Sequence, residues 1–403
     1  MALLPVAEAL ARVLADAAPG STESVPLHEA FARVLADDIK ALRTQPPDRV
    51  SAMDGYAVRA VDVERVPTTL TVIGEIAAGH PTPESVGPGQ AIRIFTGGVL
   101  PKGADTIVVQ EHVERTGDRI AVSVAAPAGK HIRAAGLDFR TGDALLERGR
   151  LLSGRDVSLA AAANHPLLPV YRKPKVAIFA TGDELVAPGS EPGPGQIVYS
   201  NGFAIAALVR SEGALIEDLG VVPDRLEETV AAVRRARELD VDLLVTTGGA
   251  SVGDYDLVQK ALASEGLSLS FWKIALRPGR PLMHGRLGRM HVLGLPGNPV
   301  SAFVCAFLFM VPLIRRLAGR SDAALTVEDA ILGCDLKAND ERADYMRATF
   351  APGPGGTLVA TPFSLQDSST LQVMAKAHGL LIREPFAPAA RAGEACRILK
   401  FPL

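Results

Sequence analysis

The sequence predicts an α/β plus β protein: a doubly wound, mostly parallel sheet domain, preceded by a discontinuous helical domain with a small inserted β domain, and followed by a C-terminal β-barrel-like domain. Three observations carry this. Strand-like and helix-like runs alternate from Pro174 to about residue 320, the order of a parallel sheet covered on both faces. Short β-prone runs punctuated by Gly, Pro and Asp fill about 45–139 and resume after Gly319, the texture of small β modules. Finally, 403 residues exceed what one hydrophobic core normally supports, so several domains, roughly two to four, are expected.

Taken in order, the N-terminal run carries Glu8, Arg12 and Asp16 at helical spacing and reads as an amphipathic helix, not a signal peptide. A short strand near Pro26 and Leu27 and a second helix from His28 to Leu35 are expected next. Runs at Leu70–Ile76, Ala91–Phe95, Thr106–Val109 and Arg119–Val124 make the inserted β domain, and a helical pattern resumes at Ser153–Ala163. The domain bounds are therefore 1–44 with 140–173, 45–139, 174–320 and 321–403.

Within 174–320, strands are expected at Lys175–Ala180, Leu215–Leu219, Val241–Thr246 and Ser268–Ala275, with helices at Asn201–Glu212 and Arg225–Leu239. Asn201 suits an N-cap and Gly213 a helix stop. Leu226, Val230, Val233 and Leu239 share one face of the second helix, opposite Glu227, Arg234, Arg235 and Glu238. A hairpin-like pair, Leu282–His284 and His291–Leu295, leads into a long helix from Pro299 to Leu317.

The composition is 48% hydrophobic and 22% charged, with a formal net charge of −3. Such a balance supplies no field that gathers nucleic acid or an anionic membrane, so neither is an expected partner. The longest apolar stretch, Val300 to Ile314, is shorter than the roughly 20 residues a bilayer-spanning helix needs, and reads as a core helix. Cys305, Cys334 and Cys396 are odd in number and far apart, which fits free thiols in a reducing cytoplasm. The eight histidines show no ligand spacing suited to zinc.

Open α/β sheets bind ligands at the carboxyl ends of their strands, and four loops qualify here. They are Thr181-Gly182-Asp183-Glu184, Thr247 to Asp256 (with Gly248, Gly249, Ser251, Gly253 and Asp254), Arg277-Pro278-Gly279-Arg280-Pro281, and Pro296-Gly297-Asn298-Pro299. Glycines let backbone N–H groups approach a phosphate, and a following helix N-terminus adds positive potential. Any one such loop is more often a plain turn. Four of them interleaved with carboxylates call for a reason, and a divalent metal on phosphate oxygens supplies one. Asp183, Glu184, Asp254 and Asp256 are ligands of the right type for Mg²⁺, against the alternative that they are caps and ion pairs. Arg277, Arg280 and Arg347, with Ser368 and Ser369, offer donors suited to a tetrahedral oxyanion, although arginines are commonly only surface cations. The turn Met53-Asp54-Gly55-Tyr56 sets a carboxylate beside a glycine that would admit another backbone.

These residues also carry a resemblance. PPDRVSAMDGYAV, RIFTGGVLPKGADTIVVQEHVE, IRAAGLDFRTGDALLERG, VAIFATGDELV, VTTGGASVGDYD, FWKIALRPGRP and GLPGNPVSA occur in the order seen in the MoeA and gephyrin E-domain family, from about residue 5 to residue 400. The resemblance implies a molybdopterin molybdenumtransferase: molybdate is inserted into adenylylated molybdopterin, AMP leaves, and Mg²⁺ is required. It implies an elongated cytoplasmic homodimer, joined in part through the discontinuous first domain, with a molybdopterin-binding type of sheet domain and an active site shared between subunits. A molybdopterin adenylyltransferase and molybdoenzyme maturation proteins are the partners it suggests. By position, Asp54, Thr96, Asp138, Glu184, Asp224, Asp254, Asp256 and Lys273 match the family's functional polar set, Asp54 coming from the partner subunit. The molybdate pocket maps onto Arg277, Arg280, Pro281, Arg347, Ser368 and Ser369.

Three positions depart from the family pattern. Arg277-Pro278-Gly279-Arg280-Pro281 stands where Lys-Pro-Gly-Lys-Pro is commoner, Gly136-Leu137-Asp138 replaces Gly-Glu-Asp, and Thr96-Gly97-Gly98 replaces Thr-Gly-Ala. Competing readings are an adenylyltransferase, for which the β insertion and C-terminal domain would be superfluous, and a non-catalytic scaffold, for which the retained acids would have no use. Tungstate and molybdate are too alike for sequence to separate.

Overall fold

The computed structural model describes residues 3–248 and 257–402. Residues Thr22–Pro26 pair antiparallel with Leu167–Tyr171, and Ile39–Lys40 with Ala144–Leu146. The Gln45 N–H donates to the Phe139 carbonyl, so the chain segments on either side of 45–139 are zipped together. The helix Gly154–Ala162 starts from Ser153, whose hydroxyl accepts from Asp156 N–H while the Asp156 carboxylate accepts from Ser153 N–H, a reciprocal cap that satisfies two otherwise orphaned donors.

Two expectations fail here. Residues 28–35 do not form a helix beyond a single 3₁₀ turn at Leu27–Glu29. Ala32 takes a φ of 58°, and the N–H groups of Ala32 and Leu35 donate to Leu152 and Arg150 carbonyls across the module; long-range backbone bonds have replaced helical ones. The helix Val6–Leu14 does form, but its buried Ala9 and Val13 pack into the core of the α/β domain and not into a helical first domain.

Residues 55–122 build a six-stranded sheet in the order Thr106–Val109, Gly55–Val58, Gln90–Ile94, Thr68–Ile76, Arg119–Val122, Val113–Thr116. The Gly55–Val58 strand is buried throughout. A Cβ at Gly55 would overlap the Val108 carbonyl oxygen, so the glycine at the end of the Met53-Asp54-Gly55 turn admits the neighbouring strand at contact distance.

The central sheet runs Leu215–Val222, Lys175–Thr181, Leu243–Thr247, Met290–Leu295, Met283–Leu287, Ser268–Trp272. Its first four strands are parallel, and Met283–Leu287 is antiparallel to both neighbours. The expected long helix spans Pro299–Leu317 but opens into a π-helical turn at Ala306–Met310. Pro312 has no N–H to give and its ring crowds the preceding turn, which the wider turn relieves. Although this helix is long and apolar enough to cross a membrane, its apolar stretch is 83% buried within the protein, as the core of the α/β domain.

Beyond it, Ala343–Pro352, Leu358–Pro362, Val327–Leu332, Ala395–Lys400 and Gly379–Arg383 close into a small barrel, since the first of these strands pairs with the last. Leu276–Arg277 adds in parallel to Ala343 and Asp344, carrying the loop 277–281 from the α/β domain to the barrel wall. The architecture is the α/β plus β arrangement expected from the sequence.

Candidate active site

The carboxyl ends of three adjacent parallel strands deliver Thr181, Thr247 and Leu295 to one edge of the central sheet. Each is followed by a turn that needs glycine or proline. Gly248 has a φ of 82°, and a Cβ there would overlap the Thr181 carbonyl, so the two turns touch backbone to backbone. Pro296-Gly297 leads to Asn298, which occupies the N-cap position of the long helix without capping it. Its Nδ2 donates to Ser368 Oγ at 2.9 Å, while Asn201 Nδ2 donates to the Gly297 carbonyl at 2.8 Å. Asn201, expected as an N-cap, is instead the first residue of its helix and pins the Gly297 turn.

Together these turns enclose a cleft of about 840 Å³. Of the residues singled out from sequence, Thr181, Gly182, Glu184, Asp224, Gly248, Pro281, Pro296, Gly297, Asn298, Pro299 and Ser369 line it. Thr247, which opens the second of the four candidate loops, lines it as well, whereas sequence reasoning missed Tyr199, Ser200 and Ser301, along with Leu185 and Ile197, and read Asn201 as helix chemistry. Thr181 Oγ1 is buried without a hydrogen-bond partner among the described residues while its residue lines the cleft, a polar atom placed where a ligand could satisfy it.

Acidic charge collects at one end. Asp224 N–H donates to Asp183 Oδ1 at 3.1 Å, and Asp183 N–H to Asp224 Oδ2 at 3.4 Å. Burial pushes the Asp224 carboxyl above the ordinary carboxylate range, and the charges of Asp183 and Glu184 push the same way against the Asp183 N–H. Gly182 has a φ of 151°, and a Cβ there would press on the Glu184 carboxylate, which folds back over the turn. Among the described residues, Asp183, Glu184 and Asp224 are the acids at this end of the cleft. No group of three His, Cys, Asp or Glu side chains among the described residues could hold a metal ion. Gly249, Ser251, Gly253, Asp254 and Asp256 lie outside the described residues.

The oxyanion candidates divide. Arg280 is exposed, and its neighbour Pro281 reaches the cleft. Gly279 has a φ of 119°, and a Cβ there would overlap the Cys305 sulfur. Arg277 spends its fork on the barrel: Nε donates to Asp344 at 3.0 Å, Nη1 to Asp340 at 2.9 Å and Nη2 to Asn339 Oδ1 at 2.7 Å. Arg347 is 1% exposed; its Nη2 donates to the Asp367 carbonyl at 3.2 Å, and its Nε has no partner among the described residues. Ser368 accepts from Asn298. Lys273, with a φ of 88°, holds its ammonium 4.9 Å from the Trp272 ring centroid.

Asp54, Thr96 and Asp138 do not line this cleft; they sit on and beside the inserted sheet. Thr96 donates both its N–H and its hydroxyl to Asp54 Oδ1, and these bonds, with the nearby Arg93 charge, hold the Asp54 carboxyl below its ordinary range. Asp138 is exposed, its N–H bonded to the Gln45 carbonyl.

Comparison with known proteins agrees over almost the whole chain. The MoeA N-terminal region (domain I and II) matches residues 4–164, a probable molybdopterin binding domain matches 177–316, and the MoeA C-terminal region (domain IV) matches 329–401. A molybdopterin molybdenumtransferase of Haemophilus influenzae is 34% identical over 385 residues, 95% of each chain. One from Nostoc sp. is 41% identical over 280 residues, 67% of this chain and 63% of that relative. The crystal structure of a molybdopterin biosynthesis MoeA protein from Pyrococcus horikosii superposes with a TM-score of 0.85 at 30% identity, covering 100% of both chains. With all three regions present in order and a relative matched from end to end, this chain belongs to the MoeA family of molybdopterin molybdenumtransferases.

Proposed function

We propose that this protein inserts molybdate into adenylylated molybdopterin, releasing AMP, in a Mg²⁺-dependent reaction. The observation that carries this is the cleft itself, where the Gly182, Gly248 and Gly297 turns meet beside Asp183, Glu184 and Asp224. The turn N–H groups bind the phosphates of the anhydride, and the N-terminus of the long helix adds its positive end. Glu184, with Asp183 and with Asp254 or Asp256, would hold Mg²⁺. When bound, the ion supplies charge neutralisation for the phosphoanhydride. Arg280, whose neighbour Pro281 lines the cleft, gathers the molybdate oxyanion with Ser369, while Arg347, 1% exposed and with Nη2 on the Asp367 carbonyl, does not line the cleft of the described residues. Electrostatic stabilisation of the phosphoryl group, not a covalent nucleophile, carries the rate.

Asp54 and Thr96 lie away from the cleft of their own chain, which supports a homodimer in which the inserted domain of one subunit completes the site of the other. The three cysteines are unpaired, in keeping with a cytoplasmic protein. Contacts with an adenylyltransferase and with molybdoenzyme maturation proteins belong to this reading through the family resemblance.

The experiment is turnover: purified protein with adenylylated molybdopterin, molybdate and Mg²⁺ should release AMP and yield cofactor that activates an apo-molybdoenzyme. Substrate binding with no stimulation of AMP release by molybdate would reject the reading.

A further inference from the structure

One wall of the cleft is apolar in a way that the phosphate and metal chemistry leaves unexplained. After Thr181 the chain makes an excursion and returns before the helix Asn201–Ser211, and its two arms pair as a short parallel ribbon, Leu185–Val186 with Ile197–Val198. The ribbon is fixed at the acidic end of the cleft, because Ile197 N–H donates to the Glu184 carbonyl at 2.8 Å and Tyr199 N–H to the Val186 carbonyl at 2.9 Å. Leu185 and Ile197 are directly opposite in the register, so their side chains share one face. Both line the cleft, as does Val198. Ile197 is 57% exposed and Val198 42%. Branched aliphatic side chains left open inside a cleft, next to turns built for phosphate, leave a surface that a ligand would cover.

We infer that the Leu185/Ile197 pair is the platform on which a planar nitrogen heterocycle of the ligand lies while its phosphate reaches the glycine turns. The inference rests on the cleft being a nucleotide-type site, as proposed above. A flat bicyclic ring matches two adjacent aliphatic side chains in size, and its burial needs no hydrogen bond from the wall. Such a ring can come from two sources, the adenine or the pterin. The other apolar elements at the mouth, Leu371 at 42% exposure and Leu257, border the same space.

The test uses three probes with the full-length protein by calorimetric titration: AMP, a 6-substituted pterin monophosphate, and ribose 5-phosphate, which has the phosphate but no ring. Ile197→Ser and Leu185→Ser are compared with the unaltered protein, with thermal unfolding as the check on folding; Ile197→Met, which keeps the apolar wall, is the conservative control. The expected result is about tenfold weaker binding of one ring-bearing probe in each serine variant, unchanged ribose 5-phosphate binding, and recovery in Ile197→Met. Loss confined to AMP identifies the adenine as the occupant, and loss confined to the pterin identifies the pterin. The inference is overturned if the unaltered protein binds the ring-bearing probes no better than ribose 5-phosphate, or if the serine variants bind every probe normally. Normal binding with a dimer weakened towards monomer would give the ribbon to a subunit interface instead. A failure of the molybdate-insertion reading looks different: no molybdate-stimulated AMP release, with ring discrimination intact.

Discussion

Thr96 donates its backbone N–H and its hydroxyl to the same oxygen of Asp54, each at 2.7 Å, fixing the orientation of a carboxylate at the end of a turn. Ser51 braces that turn from below, its hydroxyl donating to the Met53 carbonyl at 2.6 Å. Asp54 is thus a positioned carboxylate that does not line the cleft formed by the described residues of its own chain.

If each active site takes Asp54 from the partner, Asp54→Asn and Glu184→Gln should each be nearly inactive alone and rescue one another when mixed. Random exchange of subunits makes half the dimers hybrid, each with one intact site of two, so about a quarter of wild-type activity should return. No recovery after verified exchange would put both residues on one chain's site.

Removing the Thr96 hydroxyl should separate orientation from charge. Thr96→Val keeps the backbone donor and loses the hydroxyl, so the Asp54 carboxyl should titrate higher than in the unaltered protein, because a bond to its charged form is gone. The acid limb of the turnover profile should move to higher pH. An unmoved limb with lowered kcat would mean that Thr96 only shapes the loop.

Stability should fall in mild acid through the central sheet. Burial pushes His284 down to about 4 and His291 to about 3, and the rings meet at 3.5 Å between His284 Nε2 and His291 Nδ1. His291 Nε2 also faces Arg286 Nη1 at 3.2 Å; since the guanidinium can only donate, this nitrogen must accept and the ring stays neutral. In the unfolded chain both histidines protonate near 6.5, so the folded state is favoured fully above that pH and loses ground as pH drops towards 4 and 3. Each histidine contributes up to roughly 1.4 kcal/mol per pH unit in that window. Urea midpoints between pH 7 and 4.5 should therefore slope downward, and His291→Gln should flatten the slope. An equal slope in the variant would assign the acid lability to carboxylates.

Gly55→Ala should be costly despite adding one methyl group. The new Cβ would overlap the Val108 carbonyl in a strand buried along its length, so two paired strands must separate. A loss of about 3 kcal/mol or more is expected for the inserted domain, measured by urea denaturation; a change below 1 kcal/mol would show that the sheet can flex there.

Arg277→Lys, the change towards the commoner residue of the family, should loosen the barrel only slightly. One ammonium cannot serve Asn339, Asp340 and Asp344 together, yet Arg277 and Asp340 are more than a third exposed, so solvent screening holds the loss to about 1 kcal/mol or less. Hydrogen exchange at residues 339–344 should accelerate.

Much of this protein is determined locally. Alternation of strand and helix, glycine where a turn runs at positive φ, proline at the start of the long helix, and acids just after strands are all properties of a few neighbouring residues, and they alone place Thr181, Gly182, Gly248 and Pro296–Pro299 on one sheet edge. Tertiary structure decided what depends on distant partners. Residues 28–35 have helical composition, yet the carbonyls of Arg150 and Leu152 claim their N–H groups. Asn201 looks like a cap and became a strut for Gly297 because that turn arrives from 96 positions away. Arg277 and Arg347 are both arginines suited to an oxyanion, but one is consumed by three acceptors on the barrel and the other is sealed with a free Nε, since the barrel wall, not the local sequence, determines which acceptors each fork meets.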